Sequence, residues 1–300
     1  MTLTYKRKSR KIVSIFGSNN VLTYNLIKKL KSNYEINIYS RKTINNFKFA
    51  KKYQGDIKNY STLLPLCNES QIIIYTLFIN KSRNDNIKVI KNLISCINKS
   101  LKVKKLIIIS SAAILAFNKN RILNENHKPE KLDEYQKIRF DIENLLIKKL
   151  DKGKKLIILR PTDIINFNNS KSSIHSIKSR LLQKGIKGII YRFLLGHRTY
   201  NLVHIDDLAN AIIFFVEKDM VKNYEIYNVT SDDEKNIFHK LSNSYRFSFI
   251  LPKLFLENIF SLLFFYLKKP NPLRIYDNTK IKKNGFKFSF KLKDILYDNV

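Results

Sequence analysis

Acidic residues are scarce in this chain. Its 300 residues include only 24 Asp and Glu against 56 Lys and Arg, so the formal net charge is +32. Such a charge can indicate a nucleic-acid or anionic-membrane partner. Here, however, the lysines are spread along the whole chain and accompany many Ile and Asn residues. We interpret the charge as the mark of an A/T-biased genome on solvated faces, and we expect no nucleic-acid partner.

Cysteines and long apolar runs are also few. Cys67 and Cys96 stand far apart, and neither they nor the histidines show a metal-binding spacing, so we predict a reduced, cytoplasmic protein without a metal site. The basic N-terminus leads into a strand pattern rather than a signal-peptide core. The most apolar later stretch, residues 254–267, is too short to span a bilayer. It predicts either a packed helix or a weak membrane-surface contact.

The chain does contain a regular alternation of short β-branched runs and amphipathic stretches, which is typical of βαβ units. The pattern predicts strands at residues 11–16, 35–39, 72–75, 106–110 and 156–159, and helices at 21–30 and 86–99. The expected fold is α/β, a Rossmann-type doubly wound parallel sheet with a smaller C-terminal substrate-binding lobe. We expect an NAD(P)-binding domain over residues 1–165. Residues 166–300 would form mainly the substrate-binding lobe, with a return to the core around 200–230.

The first strand–helix turn has fewer glycines than a dinucleotide fingerprint, which has three. Gly17 occupies the first of these positions, whereas Asn20 and Thr23 occupy the other two. Asn20 adopts the left-handed conformation at lower cost than most residues, and Thr23 is expected to hold the helix slightly away from the sheet. Together with Asn19 and Val21, Gly17 and Asn20 are our candidates for cofactor contacts in this turn.

The second strand lacks an acidic residue at its end. An Asp or Glu there would bind the ribose 2′-hydroxyl of NAD, whereas an Arg suits the 2′-phosphate of NADP. Arg41 occupies this region, so NADP is favoured over NAD as the cofactor. The alternative is that Arg41 is one more surface cation.

Three later residues are our candidates for the chemistry. Ser111 follows a predicted strand, Tyr135 opens a predicted helix, and Arg139 lies one helical turn beyond Tyr135. A Ser hydroxyl and a Tyr phenol that converge on a carbonyl can donate and accept its proton. A cation one turn past the Tyr would stabilise the phenolate and reach the nicotinamide ribose.

In this order, these motifs resemble the extended short-chain dehydrogenase/reductase family, in particular its NAD-dependent epimerase/dehydratase group, which acts on nucleotide sugars. Gly55-Asp56-Ile57 is similar to the adenine-contacting turn of that family, so the resemblance implies that Asp56 and Ile57 contact the cofactor. Residues 159–162 (LRPT) and 203–209 (VHIDDLA) match two further signatures. The resemblance also implies that Ser111 and Tyr135 are the catalytic Ser and Tyr, and it makes a homodimer through a pair of helices the expected assembly.

The C-terminal half resembles bacterial sugar-nucleotide 4-epimerases and 4-ketoreductases. Arg274 lies where the family often has a diphosphate-binding Arg, and Tyr200 replaces a phosphate-binding Arg of many relatives, for which Arg198 could substitute. We therefore predict an NAD(P)-dependent epimerase or 4-ketoreductase of a nucleotide-linked sugar, with Tyr135 as acid/base and Ser111 orienting the substrate oxygen.

Some residues depart from the family pattern. Arg139 stands where the family has Lys, and its planar fork is not equivalent to an ammonium. Residues 75–78 (YTLF) replace a segment that usually ends in two small residues, so the groove for the cofactor is expected to be narrower. These departures keep an alternative open, namely a catalytically drifted protein with a regulatory or structural role. We interpret His204 as a core histidine, and Asp206 and Asp207 as caps of the next helix.

Overall fold

A computed structural model of the chain describes residues 10–17, 21–41, 47–77, 82–166, 179–180, 183–196, 199–232 and 269–290, with the backbone alone for 192–196. The predictions for Asn19, Asn20, Arg198 and residues 254–267 lie outside the described residues.

Eleven strands are described, and seven of them form the central sheet. In chain order they are β1 (Ile12–Phe16), β2 (Glu35–Ser40), β3 (Ala50–Gln54), β4 (Ile72–Tyr75), β5 (Lys105–Ile109), β6 (Ile122–Leu123), β7 (Lys155–Pro161), β8 (Asp163–Ile165), β9 (Leu202–His204), β10 (Tyr224–Val229) and β11 (Ile275–Tyr276). The central sheet has the order β10-β7-β5-β4-β1-β2-β3, and two short parallel pairs, β6 with β11 and β8 with β9, stand apart from it.

The helices follow the strands as crossover connections. They are α1 (Val21–Leu30), α2 (Tyr60–Glu69), α3 (Arg83–Lys99), α4 (Glu134–Lys149), α5 (Gly185–Gly196), α6 (Ile205–Glu217) and α7 (Thr279–Lys283), with a short 3-10 helix at Ala112–Leu115. Side-chain caps fix the starts of α2 and α3, among others: Asn59 accepts the Ser61 amide at α2, and Ser82 accepts the Asp85 amide at α3. None of the described helices is long and apolar enough to cross a membrane.

The parallel strands and their flanking helices confirm the predicted Rossmann-type α/β fold. β4 and β5 are buried along their whole length, as expected of strands that are covered on both faces. The strand order reverses between β1 and β4, which neighbour each other in the sheet although β2 and β3 lie between them in the chain. In sheets of this kind, ligands bind at the carboxyl ends of the strands beside such a switch point.

The sequence pattern did not reveal β3. This strand reads AKKYQ and pairs only with β2, so it forms one edge of the sheet. An edge strand does not need two apolar faces, and Lys51 and Lys52 are exposed on it. Lysines on an edge also discourage pairing with another chain.

The chain folds into two compact units, each made of several separate stretches of sequence. The first contains residues 1–109, 138–159 and 212–225, and the second contains 110–137, 160–211 and 226–300. Strands β1, β4 and β5 contribute to the first unit's core together with the buried faces of α1, α2 and α3. A cluster of Ala112, Leu115, Leu123 and Tyr276 is part of the second unit's core. The division of function between residues 1–165 and 166–300 stays a prediction.

Candidate functional site

The turn after β1 lies at the switch point and admits only glycine at its first position. Gly17 has a φ of 121°, and a Cβ there would lie 2.2 Å from Thr76 Oγ1. Thr76 cannot move away without loss, because its hydroxyl donates to the Phe16 carbonyl oxygen at 2.8 Å. The backbone of β1 is therefore approached closely by the residues that follow β4.

The same turn explains how the chain accommodates Thr23 in place of a fingerprint glycine. Thr23 is fully buried, and its hydroxyl donates to the Gly17 carbonyl oxygen. The side chain thus links the first turn of α1 to the end of β1. Val21 begins α1 and is 47% exposed.

A second close approach occurs after β3, at Gly55. A Cβ on Gly55 would lie 2.6 Å from the Tyr39 hydroxyl and 2.7 Å from Thr62 Cβ. The Tyr39 and Thr62 hydroxyl oxygens are themselves 2.6 Å apart. Thr62 also donates to the backbone carbonyl oxygen of Asp56 at 3.0 Å. The Asp56 carboxylate is exposed and accepts the Lys58 amide at 2.9 Å. Ile57 is buried beneath this turn.

Arg41 follows the end of β2 and is exposed. Two backbone-directed bonds join this end to the end of β3: the Gly55 amide donates to the Ser40 carbonyl oxygen at 3.0 Å, and Gln54 Nε2 donates to the Arg41 carbonyl oxygen at 3.4 Å. The carboxyl ends of β1, β2 and β3 thus each carry one sequence-predicted cofactor residue, namely Gly17, Arg41 and, two residues past β3, Asp56.

Tyr135 owes its position to a capping box at the start of α4. The Gln136 amide donates to Asp133 Oδ1 at 2.8 Å, and the Asp133 amide donates to Gln136 Oε1 at 3.0 Å. Tyr135 lies between these two residues, in the first turn, with 39% of its surface exposed. Ser111 caps the 3-10 helix, where its Oγ accepts the Ala113 amide at 3.2 Å, and it is partly exposed.

Arg139 lies one helical turn after Tyr135 and is half-buried. Its Nη1 donates to the Ile109 carbonyl oxygen, the last of β5, at 2.9 Å. Burial raises the pKa of the Tyr75 phenol, and the positive charge of Arg139 opposes that rise. The guanidinium therefore lies at the end of β5, two residues before Ser111, with its charge acting on Tyr75 at the end of β4.

A comparison with models of known protein families identifies the family of the chain. Residues 14–230 match the model of the NAD dependent epimerase/dehydratase family. The chain belongs to this family. The match runs from β1 to the residue after β10, so it includes Gly17, Ser111, Tyr135 and Arg139.

Individual relatives of this epimerase/dehydratase chain are distant. A curated relative, Protein BRI1-5 ENHANCED 1 of Arabidopsis thaliana, is 32% identical over 97 residues, which is 32% of this chain and 24% of that protein. Vestitone reductase from alfalfa (Medicago sativa) is similar in structure, with a TM-score of 0.69 and 18% identity over 96% of both chains. UDP-glucuronic acid 4-epimerase from Bacillus cereus, solved with NAD, has a TM-score of 0.63 and 16% identity over 95% of this chain and 94% of its own.

The residues at the strand ends fit the dinucleotide that gives the family its name. A dinucleotide needs close backbone approach at the switch point, and Gly17 lies there without a side chain that could block the backbone. The atoms that a Cβ on Gly17 or Gly55 would meet belong to this chain itself, so both glycines also serve its packing. Arg41 adds a cation at the end of β2, where no acidic side chain follows. The fit depends on these backbone positions rather than on the three-glycine fingerprint, of which Gly17 alone is present.

Two residues of the epimerase/dehydratase signature VHIDDLA have structural partners. His204 is buried and stacks on Phe290 with ring centroids 3.8 Å apart, and burial lowers its pKa. Its Nδ1 accepts the Asp206 amide at 3.2 Å. Asp207 accepts the backbone amides of Ser289 and Phe290 at 3.0 and 3.1 Å. The expectation that Asp207 caps α6 is therefore wrong, because its carboxylate holds a segment 82 residues further along the chain.

Arg274, the sequence-predicted diphosphate ligand, is half-buried and has neighbours of its own. Its Nη1 donates to the Asn271 carbonyl oxygen at 2.9 Å, and its Nε donates to the Tyr276 hydroxyl at 3.3 Å. Tyr200, beside the undescribed Arg198, is buried. Within the described part of the chain, no group of three His, Cys, Asp or Glu side chains could hold a metal ion.

Sequence reasoning missed Thr76 and Thr62, the residues that close on Gly17 and Gly55. Thr76 follows directly on a predicted strand, so a position at the switch point could have been inferred for it. The sequence gives no comparable signal for Thr62, which lies inside α2 and contacts Tyr39 from 23 residues away.

Proposed function

We propose that this chain is an NAD(P)-dependent epimerase or 4-ketoreductase of a nucleotide-linked sugar. The observation that carries the proposal is the bond from Arg139 to the Ile109 carbonyl oxygen. It fastens α4, whose second residue is Tyr135, to the last residue of β5, two residues before Ser111. Tyr135 and Arg139 therefore lie on a helix that is bonded to the strand end from which the chain continues to Ser111.

Each of the three residues has its own role in the proposal. The Tyr135 phenol gives a proton to the substrate oxygen or takes one from it, and the Ser111 hydroxyl orients that oxygen by a hydrogen bond. Arg139 supplies, one helical turn after Tyr135, the positive charge that the family obtains from Lys.

The proposed cofactor contacts come from Gly17, Asn19, Asn20 and Val21 at the first turn, and from Arg41, Asp56 and Ile57 at the next two strand ends. The nicotinamide supplies hydride transfer to or from the sugar carbon. Arg41 favours NADP, because its guanidinium can pair with a 2′-phosphate and no carboxylate follows β2 to bind the 2′-hydroxyl.

The proposed substrate class follows from charge and from the relatives. A nucleotide diphosphate would be drawn to a chain of net charge +32, and Arg198 and Arg274 are the proposed diphosphate ligands. One structural neighbour is a UDP-glucuronic acid 4-epimerase, whereas another is a vestitone reductase. Assays on a panel of UDP-sugars and on non-sugar carbonyl compounds distinguish these two substrate classes.

The direct test is titration of the protein with NADPH and NADH, followed by nicotinamide fluorescence, and then turnover with the substrate panel. Tyr135→Phe should leave cofactor binding intact and lower turnover by about 10²–10⁴-fold. Tyr224→Phe, a similarly exposed tyrosine at 48%, is the control and should change neither. If neither cofactor binds, or if Tyr135→Phe keeps full turnover, the proposal fails.

The role of Arg139 has a separate test. Arg139→Lys should keep turnover, because the charge remains, whereas Arg139→Met should lose most of it. Arg83→Met is the matched control, since Arg83 is also a helix arginine and pairs with Asp141 at 2.7 Å. Equal losses for Arg139→Lys and Arg139→Met would show that the guanidinium fork, not the charge, is required.

A second candidate function is a cofactor-binding protein without catalysis. One contact favours it: the Ser111 hydroxyl oxygen accepts the Ala113 amide and so has a structural role as a helix cap. On this hypothesis the cofactor binds, no panel substrate is converted, and Ser111→Ala lowers only stability.

We further propose a cytoplasmic homodimer. A pair formed through α3 and α4 would bring together two copies of a groove of about 550 Å³ with four cations and one carboxylate: Arg83, Lys88, Lys91, Lys148 and Asp141. Like charges repel less in salt, so sedimentation should show more dimer as the ionic strength rises. A monomer at every ionic strength would contradict this assembly.

A further inference from the structure

Helix α5 presents an apolar face to solvent. Ile186, Ile189 and Ile190 follow the i, i+3, i+4 spacing of one helix face, and they expose 77%, 43% and 49% of their surface. Gly188, in contrast, is buried. The isoleucines therefore point away from the side on which the helix packs, which is the reverse of the usual arrangement in a globular domain.

The charged residues that neighbour this face along the chain are positive. Lys184 and Lys187 are exposed beside it, and the Arg180 guanidinium lies 5.8 Å from the centre of the Tyr191 ring. Residues 164–205 contain seven Lys and Arg but no Asp or Glu. The whole chain has only 24 acidic residues, but the absence of Asp and Glu from residues 164–205 is still a distinct local feature.

We propose that α5 binds the surface of an anionic lipid bilayer. The isoleucines enter the boundary between headgroups and acyl chains, while Lys184 and Lys187 contact lipid phosphates. Apolar side chains on one helix face with lysines beside them are the pattern of helices that lie in the membrane interface. The proposal concerns a different segment from residues 254–267 and does not depend on the catalytic function.

Charge selects the bilayer over other occupants of this face. A second copy of the chain would bring an equally acid-free segment against α5, so the two would repel each other. A small phosphate ligand would satisfy the lysines but leave the isoleucines in water. An anionic bilayer satisfies both groups at once, and each lysine near such a surface adds to the attraction.

A single introduced tryptophan gives a direct readout, because the chain has none of its own. In Ile190→Trp, tryptophan emission should shift to the blue when vesicles of phosphatidylcholine with about one third phosphatidylglycerol are added. The shift should be absent with pure phosphatidylcholine and should weaken as salt is raised. Val221→Trp, at a position that is 95% exposed, is the control and should show no shift.

Paired variants then separate the apolar contribution to vesicle binding from the electrostatic one in a vesicle flotation assay. Ile186→Ser with Ile190→Ser should lower partitioning by about tenfold or more, whereas the control pair Leu101→Ser with Val221→Ser, at 89% and 95% exposure, should not.

Charge is tested in the same assay. Lys184→Gln with Lys187→Gln should lower partitioning and flatten its salt dependence. Lys28→Gln with Lys29→Gln, two exposed lysines at the end of α1, is the control for net charge. Circular dichroism checks that each variant keeps its helix content.

Several results would overturn the proposal. One is the absence of binding to the anionic vesicles, and another is equal loss of binding in the test and control pairs. A third is a self-association without lipid that the isoleucine substitutions abolish, which would assign the face to a second copy of the chain.

Discussion

Replacement of Gly17 by alanine tests the account of the switch point most directly. The new Cβ would lie 2.2 Å from Thr76 Oγ1, and the residue would keep a φ of 121°. Alanine in that backbone conformation costs about 1–3 kcal/mol. Moving the Thr76 hydroxyl also breaks its bond to the Phe16 carbonyl oxygen, which adds about 0.5–1.5 kcal/mol. We expect the free energy of unfolding to fall by about 1.5–4.5 kcal/mol.

A matched control separates backbone strain from the steric clash. Gly285 also has a positive φ, 99°, but a Cβ there would meet nothing within 4 Å. Gly285→Ala should therefore show the strain alone, about 1–3 kcal/mol. Urea unfolding followed by far-UV circular dichroism measures both variants, with comparison of the midpoints and slopes.

The double variant Gly17→Ala with Thr76→Ala completes the cycle. Thr76→Ala removes the colliding oxygen, and its own cost is the lost bond to Phe16, so this loss is counted once rather than twice. The double variant should be about 0.5–1.5 kcal/mol more stable than the sum of the single effects predicts. Thr76→Ala should give no such relief to Gly285→Ala. The close approach at the switch point is refuted if Gly17→Ala costs no more than Gly285→Ala, or if the two effects simply add.

Three further predictions rest on buried groups. Lys105 Nζ donates to three carbonyl oxygens at the end of α6, at 2.7, 3.0 and 2.7 Å. Lys105→Met should therefore lower the free energy of unfolding by about 3 kcal/mol. Urea titration measures this, and an unchanged midpoint would contradict it. Burial lowers the pKa of His204, so the unfolded chain takes up its proton first and stability falls as the pH drops below about 6.5. His204→Asn, which can still accept the Asp206 amide, should flatten this fall, and an equally steep fall would exclude His204 as its source. Cys67 and Cys96 are buried thiols, so a thiol reagent should react with them only after unfolding; rapid reaction of the folded protein would show that the packing of α2 on α3 opens readily.

The sequence predicted the elements whose pattern is local. Helix α1 and strand β4 have the predicted bounds, and the predicted bounds of the other four predicted strands differ by one or two residues at one or both ends. In these elements the spacing of apolar residues that marks a helix or a strand is visible within the segment itself. The family, too, could be inferred from Ser111, Tyr135 and VHIDDLA in order, and residues 14–230 match its model.

Contacts between distant parts of the chain were beyond that reasoning. Asp207 was predicted to cap the next helix and lies in the first turn of α6, yet its carboxylate accepts amides from residues 289 and 290. Lys105 lies one residue before the predicted strand 106–110 and had no predicted role, yet its ammonium donates to carbonyl oxygens in the last turn of α6, about 110 residues away. Neither partner has a sequence signature, because a backbone amide or carbonyl is present at almost every residue.

The sequence by itself determined the α/β alternation, the family, and the positions of Gly17, Ser111, Tyr135 and Arg139 along the chain. It could not decide whether a turn with one fingerprint glycine can still form a close approach. The tertiary structure decided this, because Thr76, which directly follows β4 and is about 60 residues away, closes on Gly17, and Thr23 bonds to the Gly17 carbonyl oxygen. The physical reason is that side-chain periodicity depends on neighbours in the chain, whereas the space around a glycine depends on which strands the sheet brings together.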